Sequence, residues 1–174
     1  MIVYLIRHAE SLKNKDGLDR TSETPLSENG HKQAELMAKR INEVQIDIIY
    51  SSSYLRARQT AEIVSKKINK PIEMWDHLIE ADSEKETFSQ MNTRAEAILK
   101  HLEEHHKGQS VLCISHASMI EKIIAKIVFG ANLTPEIVED VRLHFGTTNT
   151  GVSICEFSEK EGWSLKTFND SSHL

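Results

Sequence analysis

Residues 5–11 read Leu-Ile-Arg-His-Ala-Glu-Ser, and the rest of the chain can be interpreted from this stretch. The apolar run at residues 2–6 that leads into it has the length of one buried β-strand and is too short for a helix. A strand at this position delivers Arg7 and His8 to its carboxyl end. The planar guanidinium group of an arginine is suited to binding phosphate.

A second apolar run, at residues 110–115, ends in the same way, with His116 just beyond it. In open α/β folds, ligands bind at the carboxyl ends of the strands. Two strands each carry a histidine to this edge, and an arginine precedes one of these histidines. This pattern predicts a reactive imidazole in a phosphate-binding site. We therefore expect Arg7, His8 and His116 to lie close together.

Strand and helix patterns alternate along the remainder of the chain. Further strands are predicted at 46–50, 71–75, 151–157 and 163–168, and helices at 27–41, 54–68, 88–107, 119–129 and from 134 onward. This alternation predicts a single α/β domain over residues 1–174, with a mostly parallel central sheet, helices on both faces and an antiparallel last strand. Residues 169–174 are expected to be frayed.

The composition is that of an ordinary globular protein. Of 174 residues, 39% are hydrophobic and 27% are charged, and the net charge is −5. This charge argues against a nucleic-acid or membrane-surface binder, and no apolar run reaches the roughly 18 residues of a membrane span. Cys113 and Cys155 lie in apolar runs, which is typical of buried thiols. With no basic leader before Arg7, a cytoplasmic protein is expected.

Three histidines near the end of the third predicted helix raise the question of a metal site. His101 and His105 have the i, i+4 spacing that can bind zinc on one helix face. Leu102, however, stands where the zinc protease pattern has a glutamate. Together with His106, these histidines are interpreted as the polar end of a helix, and neither a metal ion nor a cofactor is expected.

Three stretches resemble motifs of the histidine phosphatase superfamily, also called the phosphoglycerate mutase-like family. They are Arg7-His8-Ala9-Glu10-Ser11, residues 52–61 around Arg56, and residues 111–118 around His116. The resemblance spans nearly the whole chain in the family's order, and it implies a phosphoglycerate mutase-like fold. A fourth stretch, Leu78-Ile79-Glu80, is similar to the one in which the family usually places an acid.

The resemblance implies that His8 is the nucleophile and carries a phosphoryl group transiently. It also implies that four residues bind the phosphate, namely Arg7, Asn14, Arg56 and His116. Glu80 is the candidate general acid, with Asp82 and Glu84 as alternatives because this segment is rich in carboxylates. The expected catalytic set is therefore His8, Glu80 and His116.

The activity that these residues imply is that of a metal-independent phosphomonoester phosphatase acting on a small phosphorylated metabolite or a phosphoprotein. A phosphoglycerate-type mutase is the alternative, and an inactive scaffold of the same fold is another. Ala9 replaces the glycine usual in the family, the loop after Glu80 is short, and the long tail of the mutases is missing. These departures indicate an open pocket and favour the phosphatase. They leave open the natural substrate and the oligomeric state.

Overall fold

A computed structural model describes residues 1–12, 21–82 and 85–174, and in these residues it shows a single six-stranded sheet. The strands are β1 (Ile2–Arg7), β2 (Ile48–Ser51), β3 (Ile72–Met74), β4 (Ser110–Ser115), β5 (Val152–Ser158) and β6 (Gly162–Asp170). Their order across the sheet is β3-β2-β4-β1-β5-β6. The first four strands pair in parallel, β5 pairs antiparallel with β1, and β6 pairs antiparallel with β5. The prediction of a mostly parallel α/β sheet is confirmed.

Five α-helices lie in the described part of the chain. They are α1 (Glu28–Ile41), α2 (Leu55–Ile68), α3 (Phe88–His105), α4 (Ala117–Phe129) and α5 (Pro135–His144). The starts of α1, α3 and α5 follow from capping chemistry, because the side chains of Ser27, Thr87 and Thr134 each accept a hydrogen bond from a backbone N–H of the first turn. A short 3₁₀ helix, Asp76–Leu78, lies between β3 and α3.

Helices cover both faces of the sheet. Successive side chains of a strand point to opposite faces, so a strand buried on both sides contributes to two cores. Val3 and Leu5 of β1 belong to the core that α3 and α4 complete, whereas Ile6 belongs to the core under α1 and α2. In the parts of the chain that the structure describes, no helix is long and apolar enough to cross a membrane.

Both cysteines lie in the core beneath α3 and α4. Cys113 and Cys155 are free thiols with no exposed surface, as the sequence predicts. Burial raises the pKa of both groups, that of Cys155 to about 12. The thiolate form is therefore suppressed, and these residues act as small apolar side chains.

The expectation of a frayed carboxyl-terminal segment is wrong. Strand β6 continues to Asp170, whose carboxylate pairs with Arg40 of α1. His173 lies against Thr150, with 3.0 Å between Nε2 and Oγ1. These polar contacts attach the segment to the body of the domain, and the apolar pattern of the sequence carries no signal for them.

The histidines lie at the end of α3, as expected, but they are not all exposed to solvent. His106 is buried, and its Nε2 lies 3.0 Å from the Tyr50 hydroxyl. The rings of His101 and His105 stack, and the His101 ring also lies 4.7 Å from that of Trp75. Among the described residues, no group of three metal-ligating side chains has a geometry that could hold a metal ion.

Gly30 links helix α1 to the segment that follows β1. A Cβ atom at this position would lie 1.9 Å from the backbone oxygen of Glu10, and that oxygen already accepts the Ser27 N–H at 2.9 Å. We expect Gly30→Ala to lower the free energy of unfolding by about 1–3 kcal/mol, because backbone must move to make room. Urea denaturation measures this change.

Gly146→Ala is the matched control, because the nearest atom to its added Cβ is 4.0 Å away. Its free energy of unfolding should stay within about 0.5 kcal/mol of the parent value. Equal losses in the two variants would contradict the steric explanation.

Candidate active site

His8 follows β1 directly and is held there by backbone and side-chain contacts. Its backbone N–H donates to the carbonyl oxygen of Ser115, at the end of the neighbouring strand β4, at 2.9 Å. Its ring Nδ1 lies 2.7 Å from the carbonyl oxygen of Ala9, which can only accept, so Nδ1 carries the proton. Nε2 then accepts a hydrogen bond from Nε of Arg56 at 3.1 Å. In this arrangement the imidazole is neutral, with the lone pair on Nε2.

Arg56 is buried in the first turn of α2, 2% exposed. A cation here is unfavourable for the helix dipole, which prefers negative charge at a helix N-terminus, so an anion at this place would offset the cost. The guanidinium donates from Nη1 to the carbonyl oxygen of Thr21 at 3.1 Å and lies over the Tyr54 ring at 5.1 Å. The arginine is thus fixed beside His8.

His116 is the residue between β4 and α4, and it has no exposed surface. Its ring centroid lies 5.0 Å from that of His8, so the two predicted histidines do meet at one edge of the sheet. Its Nε2 lies 2.8 Å from Oγ of Ser52, a residue just after β2. Ser52 belongs to the stretch around Arg56, but nothing in the sequence pattern indicates this contact.

Glu80 reaches the same place from the segment after the 3₁₀ helix. Its Oε2 lies 3.8 Å from Nδ1 of His116, and its Oε1 accepts the backbone N–H of Ser118 at 3.2 Å. The segment is fixed from two sides. Ser115 Oγ donates to the Leu78 carbonyl oxygen at 2.6 Å, and Arg94 Nη1 donates to that of Ile79 at 2.7 Å.

The other carboxylates of this acidic segment are placed differently. Asp82 forms an ion pair with Lys85 at 3.0 Å. Glu86 pairs with Arg94 at 2.5 Å and so contributes to holding the Glu80 segment. Glu84 and the predicted phosphate ligand Asn14 lie outside the described residues.

Arg7 is positioned by the segment between α5 and β5, for which the sequence pattern carries no signal. Its Nη1 donates to the carbonyl oxygen of Thr147 at 2.5 Å, and its own carbonyl oxygen accepts the Thr150 N–H at 3.0 Å. Asn149 donates from Nδ2 to the His8 carbonyl oxygen at 2.8 Å. Glu121, on α4, in turn accepts both the N–H and the hydroxyl of Thr147 at 3.2 Å. Burial raises the pKa of the Glu121 carboxyl.

The two residues after His8 connect the site to the scaffold. Ala9 is fully buried, and its N–H donates to Oγ1 of Thr60 at 3.1 Å. Its methyl group packs in a small core cluster with Leu26 and Ala34, so the alanine in place of the family's usual glycine fits here. The carboxylate of Glu10 accepts the Ser27 hydroxyl at 2.5 Å and is a structural group.

Taken together, a neutral imidazole, two arginines and a second histidine surround the carboxyl end of β1, with a carboxylate at one side. Such a set can hold the oxygens of a phosphoryl group while a nitrogen lone pair approaches phosphorus. Arginines also stabilise the charge that builds up on those oxygens in the transition state.

Ser52 provides a test of this geometry. We expect Ser52→Ala to weaken the binding of inorganic phosphate roughly five- to thirtyfold, because the His116 ring, no longer oriented by Ser52, must be fixed when phosphate binds, at a cost of about 1–2 kcal/mol. Isothermal titration calorimetry measures this affinity. Ser53→Ala is the control, since it alters the next residue of the same loop. An unchanged affinity in Ser52→Ala would exclude this role for the serine.

Comparison with known proteins agrees with the geometry. The family model of the histidine phosphatase superfamily (branch 1) matches residues 3–85 and 81–171. PhoE, an uncharacterized phosphatase of Bacillus subtilis, is 27% identical over 99% of this chain and 96% of its own length. The adenosylcobalamin/alpha-ribazole phosphatase of Escherichia coli is 26% identical over 74% of this chain and 79% of its own.

A solved structure shows the same fold. A mutant phosphoserine phosphatase of Entamoeba histolytica, crystallised in complex with phosphoserine, superposes with a TM-score of 0.84. The two chains are 22% identical, and the match covers 99% of this chain and 98% of that one. The family resemblance and the phosphoglycerate mutase-like fold predicted from the sequence are therefore confirmed. The chain belongs to the histidine phosphatase superfamily.

Proposed function

We propose that this protein is a phosphomonoester phosphatase that works through a phosphohistidine at His8 and acts on a small phosphorylated metabolite or a phosphoprotein. One observation carries the proposal. The proton of His8 is held on Nδ1 by the Ala9 carbonyl oxygen, and the lone pair on Nε2 points to the Arg56 guanidinium. A phosphate bound to that guanidinium would meet the lone pair directly.

In the first step, the lone pair of His8 Nε2 forms a bond to phosphorus while the bond between phosphorus and the ester oxygen breaks. The leaving oxygen takes a proton from the Glu80 carboxyl group, which yields an alcohol and phosphohistidine. In the second step, water gives a proton to Glu80 and attacks phosphorus. Inorganic phosphate leaves, and His8 recovers its lone pair.

Positive charge at the site supports both steps. Arg7, Arg56 and His116 would bind the phosphoryl oxygens and stabilise the transition state, which is where most of the catalysis of phosphoryl transfer arises. Because protein groups supply this charge, we propose that no metal ion takes part. The buried free thiols are consistent with a reducing compartment, and we propose the cytoplasm.

The mutase is the alternative within the same fold. A mutase must protect its phosphohistidine from water until the bound intermediate has changed its orientation in the site. This protection requires a closed pocket. Only residues 81–87 separate Glu80 from α3, which leaves little chain for a cover there. The short segment supports hydrolysis. Arg7, His8, Arg56 and His116 are all present, which argues against an inactive scaffold.

The nucleophile can be tested by trapping the intermediate. Brief reaction with a ³²P-labelled phosphate ester in the presence of EDTA should leave an acid-labile, base-stable label on His8. We expect His8→Ala to lose both the label and turnover, whereas His105→Ala, which alters a surface histidine, should keep both. Activity of His8→Ala at the parent level would refute the mechanism.

Phosphate release should need no bisphosphate primer, and primer-dependent isomerisation of phosphoglycerate would favour the mutase.

The general acid can be tested with leaving groups of different basicity. Glu80→Gln should slow hydrolysis of alkyl phosphates at least tenfold more than that of aryl phosphates, because an aryl oxide leaves without needing a proton. The values of kcat/KM for a series of esters measure this difference. Asp82→Asn is the control and should slow both classes equally or not at all. The same loss on both ester types in Glu80→Gln would remove Glu80 from this role.

A further inference from the structure

Asn169 lies at an irregular point near the end of β6. Here β6 contributes Phe168 and Asn169 where β5 contributes only Ser153, so the two strands form a β-bulge. The backbone φ of Asn169 is 50°, a left-handed conformation that asparagine adopts more readily than most residues. Its N–H donates to Oγ of Ser153 at 3.0 Å. Bulges redirect side chains, and this one turns the Asn169 amide toward the segment between α5 and β5.

The Asn169 amide contacts both peptide groups that flank Thr147. Its Oδ1 accepts the backbone N–H of Thr148 at 2.8 Å and the hydroxyl of the same residue at 3.0 Å. Its Nδ2 donates to the carbonyl oxygen of Gly146 at 3.3 Å. The oxygen and the nitrogen of the amide each meet a complementary backbone group, so one side chain orients two consecutive peptide planes.

This orientation determines where the Thr147 carbonyl group points. In a trans peptide, the C=O of one residue and the N–H of the next residue lie in one plane and point in opposite directions. Because Asn169 binds the Thr148 N–H, the Thr147 carbonyl oxygen is directed away from Asn169. On that side it accepts the hydrogen bond from Nη1 of Arg7.

Glu121 holds the preceding peptide group from the other side. Its carboxylate accepts the Thr147 N–H at 3.2 Å, while Asn169 binds the Gly146 carbonyl oxygen of the same peptide group. Two distant elements, α4 and β6, therefore clamp the segment that holds Arg7. The charge of Glu121 also acts directly on Arg7, whereas the Asn169 amide is neutral. Removing the amide therefore isolates the effect of position from that of charge.

We infer that Asn169 is a positioning residue of the phosphate site, which holds the Thr147 carbonyl oxygen so that Arg7 stays directed at the phosphoryl group. The inference rests on the proposed function, because it takes Arg7 as a phosphate ligand. Without the amide, the segment around Thr147 can rotate, and the guanidinium group must then be fixed when phosphate binds. Asn169 thus acts through Arg7 and not on the substrate itself.

The test is a double-mutant cycle on the binding of inorganic phosphate, measured calorimetrically. Asn169→Gly removes the amide and keeps the backbone conformation, because glycine adopts a positive φ freely. In the parent this change should weaken phosphate binding about five- to tenfold. In the Arg7→Ala background it should weaken binding by less than about twofold, because no Arg7 guanidinium is left to position. If Asn169→Gly does not fold, Asn169→Ser replaces it with the same expected losses, since its side chain is too short to span both peptide groups.

Asn69→Gly is the matched control. Asn69 has a φ of 54° and follows α2 at the end opposite to Arg56, so the same substitution is made at a similar backbone conformation away from the site. Its phosphate affinity should equal that of the parent. Asn169→Asp keeps an oxygen that can accept the Thr148 N–H, and its affinity should stay within about threefold of the parent.

Three results would refute the inference. They are parent-like affinity in Asn169→Gly, an equal loss in the parent and Arg7→Ala backgrounds, and a loss in Asn169→Asp as large as that in Asn169→Gly. Failure of the proposed function would look different, because phosphate would bind with the expected coupling while no ester was hydrolysed. A parent protein that binds no inorganic phosphate would refute both.

Discussion

The site depends on the parallel pairing of β1 and β4. Their register sets Arg7 opposite Ser115, and the His8 N–H continues the ladder by donating to the Ser115 carbonyl oxygen. The two histidines that follow these strands are thereby fixed next to each other, with ring centroids 5.0 Å apart. A shift of one residue in this register would turn every β1 side chain to the opposite face and would separate the pair.

The arginines of the site are oriented largely by carbonyl oxygens. Arg7 donates to the Thr147 carbonyl and Arg56 to that of Thr21. A carbonyl oxygen directs a guanidinium group through its dipole. At the buried position of Arg56, the attraction between the cation and a dianionic phosphate would be screened less by water.

The apolar runs and the residues after them were sufficient to predict the sheet and the meeting of Arg7, His8 and His116. Strand ends are local features, and parallel strands bring them together. The contributions of Ser52 and Thr147 were missed, because a serine or threonine in a loop has many uses and its partner lies far away in the sequence. The attachment of Asp170 was missed for the same reason, since an ion pair between distant segments leaves no periodic pattern.

The place of β1 in the sheet also has a consequence for how the chain folds during synthesis. Of the six strands of this sheet, β1 comes first in the sequence, yet Ile2 pairs with Ser110 on one side and with Glu156 on the other. The strand that carries the nucleophile must therefore wait for partners made much later. Contacts so distant in sequence slow folding, and they leave an apolar strand exposed in the meantime. Helices α1 and α2 differ from β1, because they contact each other and are close together in the sequence, so their contact requires no such wait.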